Sequence, residues 1–303
     1  MLANPIAGGG LAQDALPRLA RYAAERHWNA DFRTAESSAT FARIAKQEAQ
    51  RGRERIFALG GDGTFQVLLN AVADLPKISI GVLPAGGGND LAGALGLPRD
   101  PVKAAEIILE RGQACCLDAA RVRTADGVER LYMGGGGVGL DAEAARYASG
   151  AYRSIRGRSR YLLSAIHAVS HLEPVGVRIT WQNSAENTIE RKVLVAGVLN
   201  TPSYGAGLRL APEADLADGE LDLAILDDLR WFEILRILPA LAISGEMRTK
   251  RIERFRVRQA RIETDRPCLF HADGEIIGST PVDITVVPGA KKVWRAAKDS
   301  GPR

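Results

Sequence analysis

Little in this sequence points to secretion, a cysteine-bound metal or a membrane span. Its 303 residues hold three cysteines, Cys115, Cys116 and Cys268. Two are adjacent, none stands in a CxxC spacing and the count is odd, which excludes a disulfide scaffold and a cysteine zinc site and fits a reducing cytosol. Aromatic residues make up only 6% and do not interleave with the basic ones. The stacking platforms that single-stranded nucleic acid needs are therefore missing, and nucleic acid is not expected as a partner. No apolar run reaches ~18 residues, so no transmembrane helix is expected. No signal peptide is read either. Only Met1-Leu2-Ala3 precede Asn4-Pro5, so a first strand would be very short, and the native start is expected to lie upstream or the strand to be truncated. The nucleotide fingerprint GxxxxGK[ST] is absent as well, and GxGxxG fails after the strands of the first ~115 residues; internal repeats and low-complexity linkers are absent too.

What is present is a folded chain too long for one hydrophobic core, and two domains are the natural expectation. A net charge of +4 and a pI near 9.0 favour an anionic partner, whether nucleotide, acidic lipid or nucleic acid, without choosing among them.

The first ~115 residues alternate short apolar runs with helical patterns. Helices are expected over Gln13–His27, Thr40–Arg51, Asn89–Leu95 and Pro101–Arg111, with a further helical pattern at Phe65, Leu68, Leu69 and Val72. Buried strands are expected over Arg55–Leu59 and Ile78–Leu83. Strand, glycine loop, helix in this order is the mark of a parallel α/β sheet, whose ligands bind at the carboxyl ends of the strands. From residue 117 onward alternating runs dominate: Ala119–Thr124, Val128–Met133, Val175–Gln182, Lys192–Leu199, Leu221–Leu226, Arg254–Glu263 and Val282–Val287. These indicate an antiparallel sandwich or barrel, interrupted by helical segments at Arg160–His171 and Trp231–Ser244. Ala290–Ala297 reads as a basic helix or a frayed end. The fold class expected is an α/β domain with a parallel sheet over 1–117, onto which the tail 288–303 packs back, and an antiparallel β-sandwich over 118–287.

Three glycine loops leave strands and enter helices: Asn4-Pro5-Ile6-Ala7-Gly8-Gly9-Gly10, Gly60-Gly61-Asp62-Gly63-Thr64 and Pro84-Ala85-Gly86-Gly87-Gly88-Asn89-Asp90. Glycine lets the backbone come close to a ligand, and the N-terminus of the following helix suits a phosphate. Asp62 is out of place beside a phosphate unless a magnesium ion, a water or a hydroxyl proton lies between. Each loop alone is also an ordinary strand-to-helix turn, and Asn89 reads as a helix N-cap. Far along the chain, His271-Ala272-Asp273-Gly274-Glu275 places two carboxylates around a glycine. They suit a general base and a group supporting metal or nucleotide, but an Asp-Gly hairpin turn has the same letters. His271 reads as a packed or exposed strand histidine before a proton-transfer group.

In this order the motifs resemble the diacylglycerol kinase catalytic family, which also holds sphingosine, ceramide and bacterial lipid kinases. Asn4-Pro5 with its glycines, Gly60–Thr64 (GGDGT), Pro84–Asp90 (PxGTxND), Gly139-Leu140-Asp141-Ala142 (GFDA), the acidic run Ala211-Pro212 to Asp222, and Asp273-Gly274-Glu275 (DGE) cover nearly the whole chain. GGDGT alone is shared with NAD kinases and phosphofructokinase-like enzymes. The resemblance implies an N-terminal nucleotide domain of that type and a C-terminal β-sandwich with the active site in the cleft between them. It implies ATP with Mg2+ as donor, held by Asn4, Gly60, Gly61, Asp62, Gly63, Thr64, Gly86, Gly87, Gly88 and Asn89. It further implies Asp273 as the base that deprotonates a lipid hydroxyl, with Glu275 and Asp62 also in the catalytic set. By the same resemblance, Asp215, Asp218 and the Glu220 carbonyl are the expected ligands of a structural magnesium. The chain departs from the family at Gly87, where a threonine is usual and a phosphate-bonding hydroxyl is lost.

The acceptor expected first is diacylglycerol, giving phosphatidic acid, with sphingosine or another long-chain base second. An NAD kinase-like enzyme and a non-catalytic nucleotide- or lipid-binding regulator remain as further alternatives. A cytoplasmic protein that visits an anionic membrane peripherally at its inner face is expected, and a homodimer stays open. Basic clusters at Arg153, Arg156, Arg158 and Arg160, and at Arg248, Lys250, Arg251, Arg254, Arg256, Arg258 and Arg261, could make that contact or could be solvated faces. The apolar runs Tyr161–Ile166 and Trp231–Leu238 suit a lipid pocket or the core.

Overall fold

In the computed structural model, the described residues are 1–152, 163–164, 167–168, 174–183, 185–203, 207–229, 233 and 251–297. The helical segments expected at Arg160–His171 and Trp231–Ser244, the cluster Arg153 to Arg160, and Arg248 and Lys250 fall wholly or mostly outside them. Two compact units are present: Met1–Leu117 with Ala290–Arg303, and Asp118–Gly289.

The first unit is a three-layer α/β fold. Its strands are β1 (Leu2–Ala3), β2 (Arg33–Thr34), β3 (Arg55–Gly60) and β4 (Ser79–Pro84), and its helices are α1 (Leu11–Glu25), α2 (Ser38–Gln50), α3 (Asp62–Ala71), α4 (Asp90–Ala94) and α5 (Pro101–Arg111). The order β2-β1-β3-β4 is parallel throughout. β3 and β4 are buried along almost their whole length, as strands covered on both faces must be. Phe65, Leu68 and Leu69 of α3 and Phe41 of α2 are fully or almost fully buried, which is the periodicity legible in the sequence. Helix α2 is capped by Ser37, whose side chain accepts from the Thr40 N–H, and α5 by Asp100, which accepts from Val102 and Lys103.

The tail expected as a helix or frayed end is instead a strand. Val282–Arg295 runs unbroken, and Val293 pairs in parallel with Ile80 of β4. Lys291 and Val293 are buried while Lys292 is exposed. That period of two is a strand's, and Pro288-Gly289 disguises its continuity.

The second unit is antiparallel. Its strands are β5 (Gln113–Thr124, begun in the first unit), β6 (Glu129–Tyr132), β7 (Gly135–Gly139), β8 (Val175–Gln182), β9 (Glu186–Leu199), β10 (Leu221–Asp227), β11 (Ile252–Val257), β12 (Gln259–Thr264), β13 (Leu269–Ala272), β14 (Glu275–Ser279) and β15 (Val282–Arg295). One helix is fully bounded within it, α6 (Leu140–Ser149). The path β14-β13-β7-β9-β8-β12-β15 is continuous, and β10 joins β9 to β11. Strand β9 pairs with β8 over its first half and with both β7 and β10 over its second, so it serves both layers of the sandwich. Val177, Ile179, Val198, Leu223, Ile262 and Phe270 meet in the core. The run expected as one strand, Arg254–Glu263, is two. The chain bends at Arg258 and changes partners from β10 to β8 and β15, because Arg258 and Gln259 are both exposed and the alternation changes phase there.

Candidate functional site

In the α/β unit the three glycine loops meet. Gly8 has φ +62°, and a Cβ there would lie 2.3 Å from the Ala85 carbonyl oxygen. A Cβ on Gly86 would lie 2.4 Å from Gly61 Cα. Only glycine permits either approach. Gly60 is required too, since its Cβ would strike the Thr64 side chain at 2.5 Å. Asn4 donates from Nδ2 to Thr64 Oγ1 at 3.4 Å, which ties the first loop to the second.

Asp62 opens α3, and its carboxylate accepts from the backbone N–H groups of Asp90 (3.3 Å) and Leu91 (3.1 Å). It therefore caps α4 from a distance. The side-chain cap expected from Asn89 is not made. Asn89 instead sits in the left-handed region and staples its own loop, accepting from Gly86 N–H and donating to Gly86 carbonyl, both at 2.9 Å. Asn89 holds the cap position, but its side chain is spent on Gly86, and Asp62 takes the N–H groups. This removes the difficulty of a carboxylate beside phosphate. The first turn of α3 itself carries no side-chain cap, which leaves its N–H groups for an anion. Gly86, Gly87 and Gly88 are all buried.

Whether these residues fit ATP is testable on one atom. Asn4 Oδ1 is buried and has no hydrogen-bond partner among the described residues. A buried acceptor left unmade costs about 1–3 kcal/mol, so it calls for a donor, a water or a metal at that point. Together with glycine backbones at contact distance and an uncapped helix N-terminus, it fits a bound nucleotide phosphate and its metal.

In the sandwich unit, Asp273 stands at the turn between β13 and β14 with φ +49°. Its carboxylate accepts three backbone N–H groups, from Met133 (3.3 Å), Gly134 (2.9 Å) and Gly135 (3.2 Å). Its own N–H donates to Gly135 carbonyl at 2.8 Å. Burial pushes its carboxyl up to about 6, against the lowering effect of the three N–H donors and of His271. A carboxylate held rigidly and titrating near neutrality has the properties of a general base. Glu275 opens β14 and is exposed.

Residues that sequence reasoning missed surround Asp273. The run Gly134–Gly137 is its platform, for a Cβ on Gly134 would stand 2.6 Å from Asp273 Oδ1. The letters GGGG were a signal, but strand β7 carries no apolar alternation to reveal it. Tyr132 is fully buried, donates to Val198 carbonyl at 3.1 Å, and has its hydroxyl raised well above the usual range by burial, then by the Asp273 charge. Buried Asp118 accepts from Gly219 (2.6 Å) and Gly289 (2.7 Å) and so anchors the acidic loop.

That loop arrays Asp215, Asp218 and Glu220, the expected magnesium set. Asp215 accepts from Ala217 N–H and Asp218 from Glu220 N–H, both at 3.0 Å. Asp218 also pairs with Arg256, which reaches Glu220 at 3.3 Å, and Arg258 reaches Glu220 at 3.8 Å. Burial raises neighbouring Asp222 to about 6, opposed by Arg256 and reinforced by Asp218, Glu213 and Glu220. A guanidinium thus occupies this acidic cluster. Among the described residues no three His, Cys, Asp or Glu side chains gather to hold a metal. The expected magnesium set is two carboxylates and a backbone carbonyl rather than three such side chains, and no chemistry is routed through a cation there.

The comparisons with known proteins cover the same two units. Residues 1–122 match the diacylglycerol kinase catalytic domain and residues 136–295 match the YegS C-terminal NAD kinase beta sandwich-like domain. A diacylglycerol kinase of Bacillus subtilis (strain 168) is 30% identical over 251 residues, 82% of this chain and 79% of that protein. The chain belongs to the diacylglycerol kinase catalytic family. A diacylglycerol kinase of Mycobacterium tuberculosis is 29% identical over 245 residues, 81% of this chain and 78% of its own. A protein named "Probable lipid kinase YegS-like" of Stenotrophomonas maltophilia is 28% identical over 260 residues, 82% and 80% of the two chains. The crystal structure of a diacylglycerol kinase from Bacillus anthracis str. Sterne matches with a TM-score of 0.71 at 18% identity, over 99% of this chain and 96% of that one, and shows the shared fold. As a family member the chain is a kinase, a phosphotransferase with an alcohol group as acceptor, and it uses ATP.

Proposed function

We propose that the chain phosphorylates the free hydroxyl of diacylglycerol to give phosphatidic acid, with Mg-ATP as donor. The observation that carries the reading is Asp273, a carboxylate fixed by three N–H donors and raised to about 6. Its oxygen accepts the acceptor's proton as the hydroxyl attacks, and the three donors keep the carboxylate from turning away. Asn4, the loop Gly60–Thr64 and the loop Gly86–Asn89 would hold the triphosphate and its magnesium, which supplies charge neutralisation when bound. Asp62 holds the second loop to the helix it caps. Glu275 would support the nucleotide side. The names of the matched relatives favour diacylglycerol over a long-chain base. Peripheral contact with an anionic membrane at the inner face is part of the reading, since a diacylglycerol acceptor lies in a bilayer; no helix of the described residues is long and apolar enough to cross a membrane.

The test is incubation of the full chain with labelled ATP, magnesium and separate micelles of diacylglycerol, sphingosine and ceramide, with NAD as the soluble control. Label in phosphatidic acid is expected. Label in the sphingoid base alone would replace the acceptor, and label in NAD alone would overturn the lipid reading. Bound ATP with no labelled acceptor would favour a regulator.

A further inference from the structure

Buried polar pairs are costly unless something fixes their geometry, and one such pair stands two residues from Asp273 without a part in the chemistry above. His271 is 3% exposed, and its Nε2 lies 3.2 Å from Asp141 Oδ2. Asp141 is in the first turn of α6, and its other oxygen accepts from Ala142 N–H at 2.8 Å. The cross-strand partner of His271 is Gly137, where a Cβ would lie 2.4 Å from Asp141 Oδ2. The chain entering and forming β7 is thus stripped of side chains at both ends of one short stretch, at Gly134 just before the strand for Asp273 and at Gly137 within it for Asp141. The pairing of β13 with β14 shifts register between Phe270 and His271. Such a bulge re-aims the side chains that follow it, and here Asp273 follows it.

We infer that His271 and Asp141 are positioning residues: their link pins the bulged strand β13 to helix α6 and so fixes the turn that holds Asp273 against the Met133–Gly135 amides. This rests on Asp273 being the base. Without the link the bulge gains freedom, and the carboxylate no longer keeps three donors at once. A misplacement of about 1 Å at a reacting group costs on the order of 100-fold. The nucleotide loops belong to the other unit and are not held by this pair.

The experiment uses the full chain with His271→Ala, Asp141→Ala and the milder His271→Gln, whose amide can still donate to Asp141. Dioctanoylglycerol is the probe acceptor, and amide hydrogen exchange at residues 133–135 is followed in parallel. Both alanine variants are expected to lose roughly 10- to 100-fold in kcat with KM for ATP unchanged. Exchange at those three amides should quicken at a Tm close to the parent's. His271→Gln should recover most of the rate and the protection. Parental exchange and parental kcat in the alanine variants would overturn the inference, as would an equal loss in His271→Gln. If dioctanoylglycerol is not turned over, the exchange result decides alone. Asp273→Asn, run beside them, separates the two ideas: a parental rate there removes the base and leaves the exchange result standing.

Discussion

At the scale of single residues, Asp273 carries opposite pH signatures in activity and in stability. Its carboxyl is raised to about 6 from 3.8, chiefly by burial. On the proposed role of Asp273 as base, turnover needs the ionised form, so kcat should fall as pH drops through about 6. For stability, the folded protein holds this proton between about 4 and 6 where the unfolded chain has released it. The contribution is therefore fully present below about 4 and lost as pH rises through about 6. Asp273→Asn should lower kcat by roughly 10²- to 10⁴-fold, the usual worth of a positioned base, with ATP affinity retained in calorimetry and the pH limb near 6 gone. A limb near 6 that persists in the asparagine variant would assign it to another group. Asp62 behaves differently, because its carboxylate is spent on Asp90 and Leu91 N–H groups. Asp62→Ala should cost about 1 kcal/mol in chemical denaturation, the typical worth of a helix cap, and weaken ATP binding by loosening the Pro84–Asp90 loop. At Gly87, buried in that loop, Gly87→Thr should tighten ATP by restoring a hydroxyl. Unchanged affinity in the same titration would show that backbone N–H groups suffice.

At the scale of elements, α3 is held at both ends by residues distant in sequence. Its N-terminus is the Gly60–Thr64 loop, and the carbonyls of its C-cap Val72 and of Leu75 in the turn beyond accept from the Nζ of Lys291. A buried ammonium at a helix C-terminus is favourable to the helix dipole but costly to desolvate, and burial lowers Lys291 to about 8 from 10.5. Between those values the unfolded chain binds the proton and the folded one does not, so stability should rise as pH rises from 8 towards 10.5. Thermal unfolding of Lys291→Met should lack that rise, and an identical pH dependence would refute the assignment. The same elements show what the sequence reveals. Helices α1, α2, α3 and α5 were legible because amphipathic spacing and buried strands followed by glycines have one physical reading. Asp62 was legible as a special carboxylate, but its use as the cap of α4 was not, since Asn89 stands where a local cap belongs and the true partner is 28 residues upstream. Strand β7 and its glycine platform were hidden because they carry little side chain to alternate. The strand continuing through Lys291 and Val293 was hidden behind Pro288-Gly289 and a run of lysines, one of which is buried only through contacts more than 200 residues away in sequence.

For the molecule as a whole, charge decides how a chain whose described helices cannot span a bilayer would reach a lipid. The net charge is only +4, and much of the basic character is already matched by acids. Arg256 pairs with Asp218 and Glu220, Arg258 with Glu220, Arg261 with Glu263 and Asp283, and Arg251 with Glu233, while Arg254 donates to the Leu210 carbonyl. A basic residue free to face an anionic surface is worth about 1 kcal/mol. One balanced by a neighbouring carboxylate brings an equal negative charge with it, and at ~0.15 M salt the remainder is screened beyond about 8 Å. The described part of the second basic cluster should therefore contribute little to membrane attachment. Sedimentation with phosphatidylglycerol vesicles should show the same bound fraction for Arg256→Gln with Arg258→Gln as for the parent chain. The same double variant should unfold more easily, because Asp218, Glu220 and Asp222 then repel one another without the Arg256 charge that opposes them. A bound fraction that falls several-fold in the variant would mean that these arginines leave their carboxylates for the lipid, and the acidic loop would then have to be read as their resting partner.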